Sequence, residues 1–108
     1  MVRIVRPGDE GTARWTFTSD RWLPRSKIAI ERSVAVIEDV WATQKRRGFF
    51  RDLLNALEHD GFDVLVQTPL EEMRPILIHY GFVERLHWWK TPDGEEESVS
   101  RWRRGARA

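Results

Sequence analysis

The fold is decided by residues 34–57, which read VAVIEDVWATQKRRGFFRDLLNAL. Residues 34–42 are rich in β-branched side chains and apolar on both alternating faces apart from two acidic residues, which is typical of a central strand. From residue 48 to residue 59 the apolar period becomes helical. The helical stripe consists of Phe49, Phe50, Leu53, Leu54 and Leu57. We therefore predict a strand, a short basic loop and a helix; a helix over residues 26–39 fits the pattern less well.

Further elements are predicted on either side of this unit. The same patterns predict strands over residues 14–19, 27–30, 62–67, 82–90 and 98–103 and a short helix over residues 75–80. A helix between two strands predicts parallel strands, whereas the N-terminal strands and the C-terminal hairpin add antiparallel pairs. We predict one α/β domain over residues 1–108. Its mixed, partly parallel central sheet is flanked by helices and carries a C-terminal β-hairpin that ends on an edge strand.

The composition excludes several classes of protein. The 108 residues suffice for one small hydrophobic core. The chain has no cysteine, which excludes a disulfide framework, and its three histidines follow no metal-ligand spacing, so we expect no metal. A net charge of +1 favours no class of partner. Without a signal-peptide pattern or an apolar run of about 18 residues, we expect a cytoplasmic protein with no membrane contact.

A basic loop joins the central strand to the helix that follows it. Gly48 opens the predicted helix, and glycine lets a backbone approach a ligand closely. The first amides of a helix have no partner inside the helix, and the helix dipole adds positive charge there. Lys45, Arg46, Arg47 and Arg51 supply side-chain charge that can neutralise phosphate. The loop is either an anion-binding site or an ordinary solvated helix start.

The stretch from Val40 to Leu54, VWATQKRRGFFRDLL, resembles motif A of the GNAT family of N-acetyltransferases. In that motif a strand leads into [QR]-x-x-G-x-[GA], whose loop amides bind the pyrophosphate of coenzyme A (CoA). The resemblance implies that the backbone of Val40 and Ala42 pairs with pantetheine. It implies a pyrophosphate loop made of Lys45, Arg46, Arg47, Gly48, Phe49, Phe50 and Arg51. Lys45 stands where the family has Gln or Arg, and Phe50 stands where it has Gly or Ala.

A second resemblance lies downstream of the first. Residues 74–82, RPILIHYGF, are similar to the closing helix of the same family, written P-L-Y-x-x-x-G-F, and residues 61–66 are similar to its preceding strand. The two motifs together cover residues 34–90. The tyrosine that protonates the leaving thiolate in the family is replaced here by Leu77. The segment before residue 34 is shorter than the usual N-terminal half of the family.

The resemblance implies an N-acyltransferase that uses acetyl-CoA. Acyl transfer needs a base for the amine, a polarised carbonyl and a proton for the thiolate. Glu38 is the candidate base, because desolvation on a central strand would raise the pKa of a carboxylate; a structural ion pair is the alternative. His79 and Tyr80 are candidate acids in place of the absent tyrosine. The alternatives are an exposed surface position for His79 and core packing for Tyr80.

The acceptor would be an amine on a small molecule or on a protein. Nucleic-acid contact is an open alternative because basic and aromatic residues gather near the C-terminus. This set consists of Arg85, His87, Trp88, Trp89, Lys90, Arg101, Trp102, Arg103, Arg104 and Arg107. Most of the six tryptophans are interpreted as core residues, and the exposed hairpin edge favours a homodimer. A catalytically inactive GNAT-fold interaction protein and a basic nucleic-acid-binding module are the competing functions.

Overall fold

One mixed sheet organises the chain. The computed structural model describes residues 2–45, 47–67, 69 and 73–104, and of residues 87, 89 and 99 it describes the backbone. The elements are β1 (Arg3–Val5), a 3-10 turn (Thr12–Trp15), β2 (Lys27–Glu31), β3 (Val34–Asp39), α1 (Phe49–His59), β4 (Asp63–Gln67), α2 (Arg74–His79), β5 (Val83–Lys90) and β6 (Glu96–Arg104). The strand order is β1-β2-β3-β4-β6-β5, with β3 and β4 parallel and the other neighbours antiparallel. The α/β class and the mixed, partly parallel sheet are confirmed.

The predicted elements from β2 onward lie where the sequence places them, with ends shifted by a few residues. The predicted strand over residues 14–19 is wrong. Thr12–Trp15 is a 3-10 turn, and Gly11 and Thr16 at its two ends have positive φ angles of 85° and 57°. The Phe17 amide donates to the Thr12 carbonyl at 3.2 Å, which closes the turn. The aromatic residues here are buried by successive turns, and their alternation with polar residues in the sequence is the same pattern that a strand would show.

The position of β6 also differs from the prediction. It lies between β4 and β5, so β5 and not the last strand forms the edge of the sheet. The short strand β1 was not predicted, because three residues with an exposed arginine at the start carry too little pattern. It forms the opposite edge by pairing with β2.

The two faces of the sheet have different environments. On one face, termed the core face, Ile37 and Val66 pack in a single cluster with buried leucines of both helices. On the other, the open face, one row of residues crosses all six strands: Ile4, Ala29, Val36, Leu65, Arg103 and Val83. Ile4 and Val83 at its ends are 46% and 58% exposed. The predicted helices therefore flank the sheet on one face, and no described helix covers the other.

Three of the six tryptophans fill the core, whereas the prediction placed most of them there. Trp15, Trp22 and Trp102 are buried, and each indole N–H donates a hydrogen bond. The acceptors are Asp60 Oδ2 at 2.8 Å, the Thr16 carbonyl at 3.1 Å and Ser100 Oγ at 3.0 Å, respectively. A buried indole needs such a partner to avoid the cost of an unpaired donor. Trp88 differs, because its ring is 59% exposed on the hairpin.

A buried ion pair joins the hairpin to the long helix. Arg104 of β6 lies 2.8 Å from Glu58 of α1, and both side chains are about nine-tenths buried. Oε2 of the same glutamate has no hydrogen-bond donor among the described residues. Breaking one side of a buried pair leaves the other charge desolvated, and this usually costs more than the intact pair contributes.

We expect Glu58→Ala to lower the free energy of unfolding by about 3 kcal/mol, because Arg104 would stay buried without a counter-charge. Lys27→Ala is the matched control. It removes an exposed pair with Glu38 at 3.6 Å, and we expect a loss of at most about 1 kcal/mol. Urea denaturation of the two variants measures both values. Equal losses would show that the buried pair has no special role.

Candidate functional site

A cleft opens where the two parallel strands separate. The last residue pair between β3 and β4 is Ile37 with Val66. Beyond this pair, β4 continues beside β6, whereas the chain after β3 turns toward residues 22–26. The cleft between them has a volume of about 70 Å³. It is lined by Ile37, Glu38, Asp39, Val40 and Trp41 on one lip and by Val66, Pro69 and Met73 on the other. The carboxyl ends of parallel strands are a common position for ligands.

Three hydrogen bonds hold the first lip away from β4. The Trp41 amide donates to Ser26 Oγ at 2.8 Å, and the Trp41 carbonyl accepts from Leu23 N at 2.7 Å. The Thr43 amide donates to the Arg21 carbonyl at 2.8 Å. Ser26 is fully buried and supplies the only side-chain acceptor among the three bonds. Sequence reasoning missed Ser26, because one serine before a strand carries no motif.

The backbone polar groups of Val40 and Ala42 point away from residues 22–26. In an extended chain the N–H and C=O groups of successive residues point to opposite sides. Because the polar backbone groups of Trp41 point toward residues 22–26, those of its two neighbours point away. Neither Val40 nor Ala42 makes a hydrogen bond through its backbone with another described residue. Val40, which lines the cleft, therefore offers a free backbone donor and acceptor, and Ala42 offers a second set just beyond the lining residues.

The N-terminus of α1 lies at the end of this lip. Gly48 is the N-cap with a φ of 74°, and no side chain caps the helix there. The amides of Phe49, Phe50 and Arg51 are consequently the unpaired donors of the first turn. A β-carbon on Gly48 would lie 2.7 Å from a terminal guanidinium nitrogen of Arg51. A larger residue would thus displace the end of the Arg51 side chain, and all but residues that tolerate a positive φ, such as asparagine, would be strained in the backbone.

Basic side chains surround this turn. Lys45, Arg47 and Arg51 are exposed, while Arg46 lies outside the described residues. Nε of Arg47 donates to Gln44 Oε1 at 3.0 Å, which holds this arginine beside the loop. The three cations and the helix dipole act in the same direction, so an anion is favoured at this point.

One carboxylate of the first helical turn acts against anion binding. Asp52 lies 3.0 Å from Arg21 and 3.6 Å from Arg51. Two cations thus neutralise the aspartate, and one of them can turn toward a ligand. The Asp52 amide already donates to the Gly48 carbonyl at 3.0 Å, so it belongs to the helix ladder.

The two phenylalanines of the loop point into the protein. Phe49 packs on Trp22 with ring centroids 6.4 Å apart, and Arg21 lies over its ring at 4.9 Å. Phe50 packs on Tyr80 at 6.1 Å, and both belong to the margin of the core cluster. Side chains that point inward leave the amides of both residues accessible. Phe50, where the GNAT pattern has a small residue, therefore does not block the first turn of α1.

The candidate catalytic residues do not form one cluster. Glu38 lies on the lip of the cleft, 36% exposed and 3.6 Å from Lys27, so the burial expected for it is absent. Tyr80 packs on Phe50 and is half-buried, while His79 is exposed and contacts the tyrosine ring at 5.2 Å. Leu77 is fully buried in the core. The structure thus places the carboxylate at the cleft and the other two residues near the first turn of α1.

The basic and aromatic set near the C-terminus is divided between different environments. Trp102 and Arg104 are buried, and Arg103 pairs with Asp63 at 2.8 Å. Arg85, Trp88 and Lys90 are exposed. Arg107 and the side chains of residues 87 and 89 lie outside the described part. The described members of the set thus do not form one continuous basic surface.

The chain matches no protein-family model, and it matches no curated protein sequence either. Within the ranges that the structure describes, no helix is long and apolar enough to cross a membrane. In that part of the chain, no group of three histidine or acidic side chains could hold a metal ion. The functional interpretation therefore depends on the cleft and on the first turn of α1.

We expect Ser26→Ala to lower the free energy of unfolding by about 1–3 kcal/mol, because the Trp41 amide would lose its buried acceptor. Ser33→Ala is the control, since the Ser33 side chain is exposed in the turn before β3, and we expect no measurable loss. Thermal or urea unfolding measures the difference. A neutral Ser26→Ala variant would mean that this hydrogen bond does not hold the lip.

Proposed function

We propose that this chain is an N-acyltransferase that takes an acyl group from acetyl-CoA and passes it to an amine. One observation carries the proposal. Unpaired backbone groups of Val40, on the lip of the cleft, and of Ala42 are followed along the same chain by the uncapped amides of α1. A long ligand with an amide-containing arm and a pyrophosphate matches this series of sites. Few other cofactors combine both features.

Each part of the ligand would have a separate partner. The amides of the pantetheine arm would pair with the free backbone of Val40 and Ala42, as one strand pairs with another. The pyrophosphate would bind at the first turn of α1, where Gly48 permits close approach and the dipole is favourable. Lys45, Arg47 and Arg51 would neutralise its charge. The resemblance to GNAT motif A implies the same roles for the same residues.

The strand order also supports a GNAT-like interpretation of the fold. Strand β3, helix α1 and strand β4 form a parallel unit that is open at its carboxyl end. The resemblance to motif A implies such a unit, with the loop between strand and helix as the cofactor site. Helix α2 follows β4 in the order that the second resemblance implies.

The reaction would need few catalytic side chains. The amine nitrogen attacks the thioester carbonyl carbon, the C–N bond forms, and the C–S bond breaks. The nitrogen loses one proton, and the departing thiolate gains one. Glu38, which lines the cleft, would accept the amine proton. The thiolate can take its proton from solvent at the open mouth. Alignment of the two substrates would supply much of the rate enhancement.

A second function is favoured by one specific observation. Leu77 stands at the position of the family's catalytic tyrosine and is fully buried in the core. Tyr80 packs against Phe50 and so has a structural role that explains its presence. A chain that binds CoA without transferring its acyl group would have the same geometry. Acetyl-CoA consumption in the presence of amines distinguishes this binding protein from the enzyme.

We expect acetyl-CoA to bind with micromolar affinity in calorimetric titration and plain pantetheine to bind far more weakly, because it lacks the pyrophosphate. Gly48→Glu should abolish binding, since a carboxylate would occupy the anion site. Gly48→Asn is the control, because asparagine tolerates a positive φ and adds no charge, and we expect it to retain part of the affinity. Equal affinity of the Gly48→Glu variant, shown to be folded by circular dichroism, would disprove the site.

We expect Glu38→Gln to lower kcat by about 100-fold, the lower end of the usual effect of a general base, and to change the affinity for CoA less than twofold. The free Lys27 left by this change is exposed, so the fold should be retained. Lys27→Gln is the control and should keep most of the activity. Unchanged turnover in Glu38→Gln would remove this carboxylate from the mechanism.

A further inference from the structure

Two arginines on the open face have no carboxylate partner among the described residues. Arg85 of β5 and Arg101 of β6 lie directly opposite each other and share the open face. Other arginines of the hairpin are paired: Arg103 with Asp63 and Arg104 with Glu58. Like charges directly opposite each other on neighbouring strands destabilise a sheet. The pair is therefore an unfavourable arrangement for the protein alone.

The environment of Arg101 strengthens this observation. Its Nε atom is buried and has no hydrogen-bond acceptor among the described residues. A desolvated cationic donor without a partner costs more than an ordinary hydrogen bond contributes. The neighbouring residue on the other side is Gln67 of β4, which pairs with Arg101 in the sheet. Two guanidinium groups and one amide thus occur in one row.

This row ends at the cleft. Gln67 and Glu38 are the first residues after the last parallel pair, so they flank the opening, and Glu38 also lines the cleft. Both follow core-facing residues, which places them on the open face. Arg101 and Gln67 are paired neighbours about 4.8 Å apart, and Glu38 lies across the opening from Gln67.

We propose that Arg85 and Arg101 bind an anionic group of the acceptor, which is a small amine that also carries a carboxylate or a phosphate. The inference rests on the proposed acyl transfer. The arginine pair holds the anionic group on the open face, and the amine reaches the cleft beside Glu38. The nitrogen then attacks the thioester carbon as described above, so the product is an N-acylated amino acid or amino phosphate.

The charges around the cleft favour a small acceptor over a polyanion. Glu38 and Asp39 are exposed on one lip, and Asp63 lies at the other end of the β4 open face. A nucleic-acid strand that reached both arginines would meet these carboxylates. A small molecule with one anion and one amine is attracted at both of its ends.

The experiment compares matched amines that differ only in the anionic group. The acceptors are O-phosphoethanolamine against ethanolamine and β-alanine against propylamine, each with acetyl-CoA, and mass spectrometry measures the product. We expect higher kcat/KM for the anionic member of at least one pair. Comparison of the two anionic acceptors decides between carboxylate and phosphate. Equal kcat/KM within both pairs would overturn the proposal.

Variants separate the arginine pair from general charge. Arg101→Gln should raise KM for the preferred anionic acceptor about 10- to 100-fold, as expected for lost charge-assisted hydrogen bonds, with kcat and the affinity for CoA nearly unchanged. Arg85→Gln should act in the same direction. Arg103→Gln is the control, because it removes a charge from the same strand and face but from an arginine that is already paired. An equal effect of Arg103→Gln would contradict a specific site.

Binding without turnover distinguishes failure of this proposal from failure of the acyl-transfer proposal. NMR titration of the protein with O-phosphoethanolamine and with β-alanine, in the absence of CoA, should shift the backbone amides of residues 85 and 101. If these shifts occur but CoA does not bind, the acyl-transfer function is wrong and the anion site remains. If CoA binds but millimolar amines cause no shift, the anion site is wrong.

Discussion

The arrangement of the candidate site depends on which segment pairs with the backbone after β3. Residues 41 and 43 bond to residues 21–26, so they cannot continue the parallel ladder with β4. This pairing separates β3 from β4, which are hydrogen-bonded to each other as far as Ile37 and Val66. The separation creates the cleft and leaves the backbone N–H and C=O groups of Val40 and Ala42 unpaired. It also directs the chain toward the start of α1. A single buried hydroxyl, that of Ser26, is part of the set of bonds that maintains it.

The one-sided packing of the sheet has a direct effect on the site. Helices on the core face supply the amide turn and its cations, whereas the open face supplies Glu38 and the arginine pair. The cleft lies between these two environments, so a cofactor and an acceptor could approach it from different sides. The row that crosses the open face is also apolar apart from Arg103, and Ile4 and Val83 are exposed at its ends. A folded sheet tolerates this, because single exposed apolar side chains are ordinary at protein surfaces.

Much of the fold was predictable because the apolar residues follow a strand-like or a helical period over long stretches of the sequence. Residues 34–57 predicted a strand and a helix, and their ends were displaced by only a few residues. The turn over Thr12–Trp15 was not predictable, since its positive φ angles carry no strong sequence signal at Thr16. The insertion of β6 between β4 and β5 was equally hidden, because strand order follows from long-range packing and not from local pattern.

For the site, the loop glycine and its cations could be predicted. The unpaired backbone of the lip could not, because it depends on the hydrogen bonds of residues outside the motif.

The insertion of β6 has a consequence for how the chain folds during synthesis. Residues 101–104 occupy the outer edge of β4, which is synthesised well before them. Until β6 leaves the ribosome, β4 would have a bare edge, and a bare edge invites pairing with other nascent chains. The buried Arg104 likewise meets Glu58 only at this late stage. The sheet is therefore completed in one late step that joins residues far apart in sequence, so we expect slow, cooperative folding. We also expect nascent chains to aggregate more readily when many of them are close together.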